Sequence, residues 1–336
     1  MANSPEIPII GVSQLIQNPG PASYEAVAKE IYNACTTVGF FYLTGHGIAP
    51  ELIADIFEAN RRFHAKPLEE KLKIKQNRWH RGYQAFASST LKSSARFEAA
   101  KHPNQLESFF MRHEVDPSDP DYERRSLQGP NQWPDDEWFV DVVRRYNDAA
   151  QDLGFKLLPA MSVAVGEDSN YFTKLFTPAT TTLRLIHYPP APAARPEDLF
   201  GIHPHTDYGF LTILAQDSVG GLQVQRLDGS WIDAPYIENS FICNIGDVFA
   251  RWTNDGFNST PHRVINKSGN RDRYSVPMFF DPNLDTVIET LPKFADLQHG
   301  KYEPIKFGDY FTLRLDTNYP DRVGVAEEKK ETTAAG

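Results

Sequence analysis

Apolar positions along the chain fall into two textures, helical spacing in the first half and short β-type runs in the second. Behind Pro21-Ala22-Ser23, the residues Tyr24, Val27, Ile31, Ala34, Cys35 and Val38 share one face of a 3.6-residue repeat, which predicts an amphipathic helix closed by Gly39. Phe40 to Leu43 then reads as a buried strand, and Leu52, Ile53, Ile56, Phe57 and Phe63 mark a second helix. The charged run Glu69-Glu70-Lys71-Leu72-Lys73 reads as a solvated helix face. Residues 77–134 are loop-rich in this reading, with Trp79, Tyr83, Phe86, Phe109, Phe110 and Trp133 scattered through them. From Trp138 and Phe139 through Val142, Val143 and Tyr146 to Val165, a long helical pattern extends to about Gly166, with a kink expected at Pro159. Between Thr180 and Phe280, short runs such as Leu222-Gln223-Val224, Trp231-Ile232, Phe241 to Asn244 and Tyr274 to Phe280 are separated by Gly, Pro, Asn and Asp. Several strands at that spacing predict a sandwich or barrel. Residues 284–318 read as mainly helical, with Tyr310, Leu313 and Leu315 packing on the core, and Glu327 to Gly336 as a polar, disordered tail. No internal repeat or low-complexity tract is present.

Composition narrows the class. At 336 residues, 40% hydrophobic and 23% charged, the chain can bury a substantial core. The net charge of −10 and the lack of a Lys/Arg-rich block argue against nucleic acid or an acidic membrane surface as a partner. Cys35 and Cys243 both lie in apolar patterns and read as buried small hydrophobes rather than a disulfide or a zinc framework. With neither a signal-like N-terminus nor a bilayer-length apolar stretch, a reducing, cytoplasmic setting is expected.

The chemistry concentrates around His205-Thr206-Asp207. On a strand, a histidine and a carboxylate two residues apart project to the same face. A further imidazole, His262, heads another short β-type segment. Two imidazoles and one carboxylate make the facial triad of non-haem Fe(II), which leaves coordination positions open. A His-x-Asp pair by itself is more often a plain hydrogen-bonded pair, and His203 shares the strand parity of His205, so spacing does not choose between them. Two further features favour the metal. Arg273 and Ser275, at i and i+2, offer a fork of donors suited to a carboxylate, and Tyr188 supplies a phenol. Catalytic zinc also uses two imidazoles and a carboxylate, but His-Glu-x-x-His is absent and zinc hydrolysis leaves Arg273-x-Ser275 unexplained. Arg273 as a structural ion pair is the plain alternative. Asn244 and Asp247 read as turn residues.

Blocks in order along nearly the whole chain carry a resemblance. They are Ile7-Pro8-Ile9-Ile10, Gly39-Phe40-Phe41 to Gly45-His46-Gly47-Ile48, Arg81-Gly82-Tyr83, Leu183-Arg184 to Tyr188-Pro189-Pro190, His205-Thr206-Asp207-Tyr208-Gly209, Gly220-Gly221-Leu222-Gln223-Val224 and Arg273-Tyr274-Ser275. In these the chain resembles the 2-oxoglutarate- and Fe(II)-dependent dioxygenases of the isopenicillin N synthase-like family. The resemblance implies a mainly β fold with flanking helices and a double-stranded β-helix (jelly-roll) core. It divides the chain into an N-terminal α/β region (1–125), a helical segment packing on the core (126–178), the β-core (179–284), a C-terminal helical region (285–320) and a disordered tail (321–336). It implies Fe(II) on His205, Asp207 and His262, which settles the choice against His203. Arg273, Ser275 and Tyr188 would bind 2-oxoglutarate, with O2 as co-substrate and ascorbate as a candidate reductant. The implied reaction is hydroxylation, desaturation or ring closure of a small organic metabolite, with release of succinate and CO2. Tyr83, Phe109 and Phe280 are candidates to line the substrate pocket. The stretch Leu183 to Pro189 resembles the thymine hydroxylase branch, which makes a free nucleobase one candidate substrate beside a specialised metabolite. Ile186 stands where many plant members have asparagine, so one polar contact near the cosubstrate is absent. Two other readings remain open: an Fe(II) oxidase of the same fold that dispenses with 2-oxoglutarate, and a non-catalytic small-molecule binding protein. A monomer is the default expectation.

Overall fold

The computed structural model describes residues 7–318 apart from 91–96, 98–99, 193–195, 197, 267 and 297–299. The segment expected to be a disordered tail lies outside the described residues. Twelve strands build the core: β1 (Ile9–Gly11), β2 (Phe40–Thr44), β3 (Gly82–Gln84), β4 (Glu107–Arg112), β5 (Thr180–Tyr188), β6 (Ile202–His205), β7 (Leu211–Gln216), β8 (Leu222–Gln225), β9 (Trp231–Asp233), β10 (Ser240–Ile245), β11 (His262–Val264) and β12 (Arg273–Asp281). The larger sheet runs β1-β2-β10-β7-β12-β5-β4-β3, and the smaller runs β6-β11-β8-β9. Between them lies a compact apolar cluster that includes Phe40, Ile186, Tyr188, Ile202, Leu222, Ile242 and Val264. The fold is the mainly β, double-stranded β-helix type with flanking helices. Strands from residues 9–112 and from 180–281 share the larger sheet, so these segments form one packed body.

The helices are α1 (Ser13–Gln17), α2 (Pro21–Thr37), α3 (Pro50–His64), α4 (Leu68–Leu72), α5 (Glu137–Ala164), α6 (Tyr171–Leu175), α7 (Asp247–Trp252) and α8 (Phe307–Asn318). The apolar stripes of α2, α3 and α5 join the outer face of the larger sheet in the main hydrophobic core. Helix α5 starts at Asp136, whose side chain accepts from the Phe139 amide at 3.1 Å. It runs through Pro159 without interruption, because Leu157, Leu158, Ala160 and Met161 on either side are fully buried, and that burial offsets the lost hydrogen bond. Helix and sheet approach so closely that a Cβ at Gly154 would lie 2.8 Å from the Phe280 ring.

Three expectations are corrected. The stretch 77–134 contains β3 and β4, and all six residues of β4 are buried. A strand covered on both faces shows no polar alternation, which is why Glu107–Arg112 does not read as one. Lys71, placed on a solvated face by the charge pattern, is buried, and its Nζ meets Glu107 Oε2 at 2.7 Å. Within 284–318, the only long helix among the described residues is α8. Val287–Ile288 and Ile305–Lys306 pair as a small hairpin, and Leu313 is 64% exposed while Phe311 and Leu315 face inward. No described helix is long and apolar enough to cross a membrane.

Candidate active site

Strand parity and register decide what faces the space between the sheets. Along β12, Arg273, Ser275, Pro277, Phe279 and Asp281 alternate onto the inner face. Antiparallel pairing sets Arg273 opposite Tyr188, Ser275 opposite Ile186 and Phe279 opposite Thr182, and Thr182 in turn pairs with Arg112. On the other side, Phe279 pairs with Thr212 and Thr212 with Asn244. The result is a ladder of inward side chains with a polar group at each end. Two cavities open along it, and they share Arg184, Ile202, His205, Asp207 and Phe279 as a common wall.

His205, Asp207 and His262 stand at that junction. His262 opens β11 in register with His205 at the end of β6. Asp207 lies in the turn just after β6, so the strand delivers only His205 and the turn brings the carboxylate. The imidazole centroids are 4.2 Å apart, and Asp207 Oδ1 lies 3.7 Å from His205 Nε2 and 3.6 Å from His262 Nε2. One donor atom from each falls within 4.8 Å of the other two, and this is the arrangement of His and carboxylate groups among the described residues that could hold a metal ion. Each imidazole donates Nδ1–H to the carbonyl two residues back, His205 to His203 at 2.8 Å and His262 to Thr260 at 3.2 Å. Both Nε2 lone pairs are therefore free. Burial, followed by the neighbouring His262, holds His205 down to about 3, so its ring is neutral at physiological pH. Burial pushes the Asp207 carboxyl up, but the two imidazoles and hydrogen bonds from Asn244 and Thr212 outweigh it and leave it below the usual range. Those bonds, 2.7 Å from Asn244 and 2.5 Å from Thr212, both reach Oδ2 and leave Oδ1 facing the imidazoles. Two imidazoles, one ionised carboxylate and their fixed orientations fit a divalent non-haem iron.

Asp247 braces the loops that carry the triad. Its amide donates to the Asp207 carbonyl at 2.8 Å, and its carboxylate accepts from Thr206 at 3.2 Å, Ser259 at 2.7 Å and Arg314 of α8 at 3.1 Å. Gly209 is required for a close approach, since a Cβ there would lie 2.0 Å from Asp281 Oδ1. Asn244 and Asp247 read as turn residues in the sequence, and their bracing role depends on contacts across 37 and 40 positions that no local pattern encodes.

One cavity ends at Arg273. This side chain is fully buried, with Nε donating to the Gly220 carbonyl at 2.5 Å and Nη1 to Ser275 Oγ at 3.4 Å. Its guanidinium lies over the Tyr188 ring at 4.5 Å, and Ser275 Oγ donates to Tyr188 Oη at 3.5 Å. Nη2 is buried without a hydrogen-bond partner. A buried cation with an unmet donor, beside two hydroxyls and facing the triad, fits the carboxylate of a chelating cosubstrate. Ile186 lines the same cavity with an apolar side chain.

The second cavity, about 730 Å³ including its mouth, is lined by Phe110, Phe279 and Phe311 together with Arg112, Thr182 and Asp281. Tyr83, Phe109 and Phe280 line neither cavity. They sit in the apolar layer under the helices, where Phe109 packs on Phe63 and Phe139 and Phe280 on Phe155 and Phe176. Phe110 and Phe279, one position away, take the inward parity. Tyr83 Oη donates instead to Glu107 in a buried network, where Glu107 also meets His187 Nδ1 at 2.8 Å. His187 points away from Tyr188, to the outer face of β5. His46 accepts from the Ile48 amide at 3.1 Å, and the His203 ring bonds to the His102 carbonyl at 2.9 Å.

Comparison with known proteins gives a consistent result. The family model described as the non-haem dioxygenase in morphine synthesis N-terminal region matches residues 7–136, and that of the 2OG-Fe(II) oxygenase superfamily matches residues 179–282. A 2-oxoglutarate-Fe(II) type oxidoreductase, hxnY of Emericella nidulans, is 36% identical, covering 97% of this chain and 93% of that protein. The homoarginine-6-hydroxylase 2-ODD-C23 of Glycine max is 32% identical over 94% of this chain and 98% of its own length. A full-length Neurospora crassa protein, crystallised in complex with alpha-KG and thymine, superposes with a TM-score of 0.81 at 31% identity, covering 94% of this chain and 98% of that one.

Proposed function

Because this chain belongs to the 2OG-Fe(II) oxygenase superfamily, we propose that His205, Asp207 and His262 hold Fe(II) while Arg273, Ser275 and Tyr188 bind the far carboxylate of 2-oxoglutarate. The activity is that of an Fe(II)- and 2-oxoglutarate-dependent oxygenase, and its substrate is a small organic molecule. The observation that carries the residue assignment is the position of the triad at the junction of two cavities, one ending in the unpartnered Nη2 of Arg273. Bound together, Fe(II), 2-oxoglutarate and O2 supply the oxidising power for attack on a C–H bond, releasing succinate and CO2.

The chain's own residues do the positioning. The carbonyls of His203 and Thr260 fix the tautomers that present both Nε2 atoms, and Asn244 and Thr212 hold Asp207 so that Oδ1 faces them. Arg273 offers its free Nη2 to a carboxylate, with a charge-assisted bond worth about 1.5–3 kcal/mol. Phe110, Phe279 and Phe311 exclude water from the other side and hold an organic substrate against the metal. A largely apolar pocket of this size takes a small molecule rather than a polymer. The reaction proposed is hydroxylation, desaturation or ring closure of that molecule.

The test is O2 uptake and succinate formation with Fe(II), with and without 2-oxoglutarate, alongside an anaerobic Fe(II) titration. One Fe(II) per chain and 2-oxoglutarate-dependent succinate are expected, and both should be lost in Asp207→Ala. O2 uptake indifferent to 2-oxoglutarate would instead mark an oxidase of the same fold. Absence of stoichiometric Fe(II) binding would mark a binding protein.

A further inference from the structure

The wall of the substrate cavity brings acidic and basic side chains together in a place where Arg112 and Asp281 are both buried. Arg112, Thr182 and Phe279 come from three adjacent strands in direct register, and Asp281 lies two residues beyond Phe279 on the same face. All four line the cavity. Asp281 is 1% exposed. Its Oδ1 accepts from the Phe210 amide at 2.7 Å, whereas Oδ2 is buried with no hydrogen-bond partner. The Thr182 hydroxyl is likewise buried and unpartnered. Burial pushes the Asp281 carboxyl up to about 7, and a buried oxygen left unpaired in this way costs stability that a ligand can restore. Two guanidiniums line the same cavity. Arg112 lies under the Phe311 ring at 5.6 Å, and Arg184 at the cavity junction is held by Ser108 at 3.0 Å and Gln84 at 2.9 Å.

From this arrangement we propose that Asp281 and Thr182 select a neutral substrate carrying an N–H beside a carbonyl, the edge presented by a lactam, imide or ureide. The proposal rests on the reading of this cavity as the substrate site. The N–H meets Asp281 Oδ2, and the carbonyl meets the Thr182 hydroxyl and a guanidinium. Above pH 7 a free carboxylate would be repelled by the ionised Asp281, and an alkylammonium would sit among Arg112 and Arg184. An amide-type edge satisfies both signs without burying a net charge. The aromatic walls Phe110 and Phe279 suit a compact ring.

The experiment is anaerobic calorimetric titration of the Fe(II)- and 2-oxoglutarate-loaded protein with four probes: glutarimide, N-methylglutarimide, cyclohexanecarboxylate and cyclohexylamine. At pH 8.5, where Asp281 is ionised, glutarimide should bind, and the N-methyl compound should bind about tenfold more weakly or worse, as expected for loss of one hydrogen bond to a charged acceptor. In Asp281→Asn that discrimination should shrink to about twofold or less. Thr182→Val, which keeps a β-branched side chain on the strand, should weaken glutarimide several-fold and serves if the first variant does not fold. Tighter binding of the carboxylate or the amine than of glutarimide would overturn the proposal. So would discrimination unchanged in Asp281→Asn, glutarimide binding unchanged in Thr182→Val, or failure of glutarimide to bind the loaded protein. Fe(II) and 2-oxoglutarate binding, measured first, separates these outcomes from failure of the cofactor assignment, which would appear as no loading of the wild-type chain.

Discussion

Replacing Glu107 with glutamine should destabilise the protein strongly and in a pH-dependent way. Glu107 lies on β4, beside the strand that carries Tyr188, and is 6% exposed. Its carboxylate receives Lys71 Nζ at 2.7 Å and Tyr83 Oη at one oxygen, and His187 Nδ1 at 2.8 Å at the other. Burial alone would raise this carboxyl, but the His187 hydrogen bond, the nearby His64, and the Lys71 and Tyr83 donors outweigh it and bring it to about 2, from an ordinary 4.5. That difference is worth on the order of 3 kcal/mol. An unfolded Glu107 takes up its proton near pH 4.5 and the folded one only near pH 2, so this stabilisation is complete above pH 4.5 and erodes as pH falls through that interval. Glu107→Gln removes it and leaves the Lys71 ammonium buried without its counter-charge, a loss of about 3–5 kcal/mol at neutral pH. Urea unfolding of the metal-free wild type and variant between pH 7.5 and pH 3 measures the gap directly. It should shrink by roughly half or more by pH 3. The double variant Glu107→Gln/Lys71→Met should recover much of the loss, because removing both charges costs far less than orphaning one. A gap that stays constant with pH, or one under about 1 kcal/mol at neutrality, would refute the reasoning.

Other perturbations test the site. Arg273→Met should raise the KM for 2-oxoglutarate by about tenfold or more, since a charge-assisted bond of about 1.5–3 kcal/mol is lost; Fe(II) stoichiometry, followed by metal analysis, should stay at one per chain. Asn244→Ala frees Asp207 Oδ2 from its 2.7 Å partner and should weaken Fe(II) binding by about 10- to 100-fold in an anaerobic titration. Gly209→Ala places a methyl 2.0 Å from Asp281 Oδ1 and should lower Tm markedly, or displace the turn that carries Asp207, with loss of Fe(II) binding. Phe279→Ala opens the wall between the cavities and should raise succinate formed without substrate relative to product formed with it, whereas Phe280→Ala should lower Tm and leave that ratio unchanged.

The triad motif, the Arg273-x-Ser275 pair and the sandwich texture were legible because each is a local signal. His-x-Asp and Arg-x-Ser use the two-residue strand period, and short apolar runs broken by Gly and Asn mark strands whatever they pack against. Parity within a run of aromatics was not legible. Phe109-Phe110 and Phe279-Phe280 each straddle the sheet, and the sequence does not state which ring faces the cavity and which faces α5. Strand β4 was hidden for the same reason, since burial on both faces erases the alternation that marks a strand. By itself, then, the sequence determined which residue types are available as metal donors and as a carboxylate anchor. Only the tertiary structure decided how they meet: Asp207 delivered by a turn and oriented from Asn244, Lys71 drawn into the interior by Glu107, and Asp281 left with an unpartnered oxygen in the wall of a cavity. Those outcomes depend on register between strands far apart in the chain, and register is fixed by the packing of the whole sheet rather than by any local pattern.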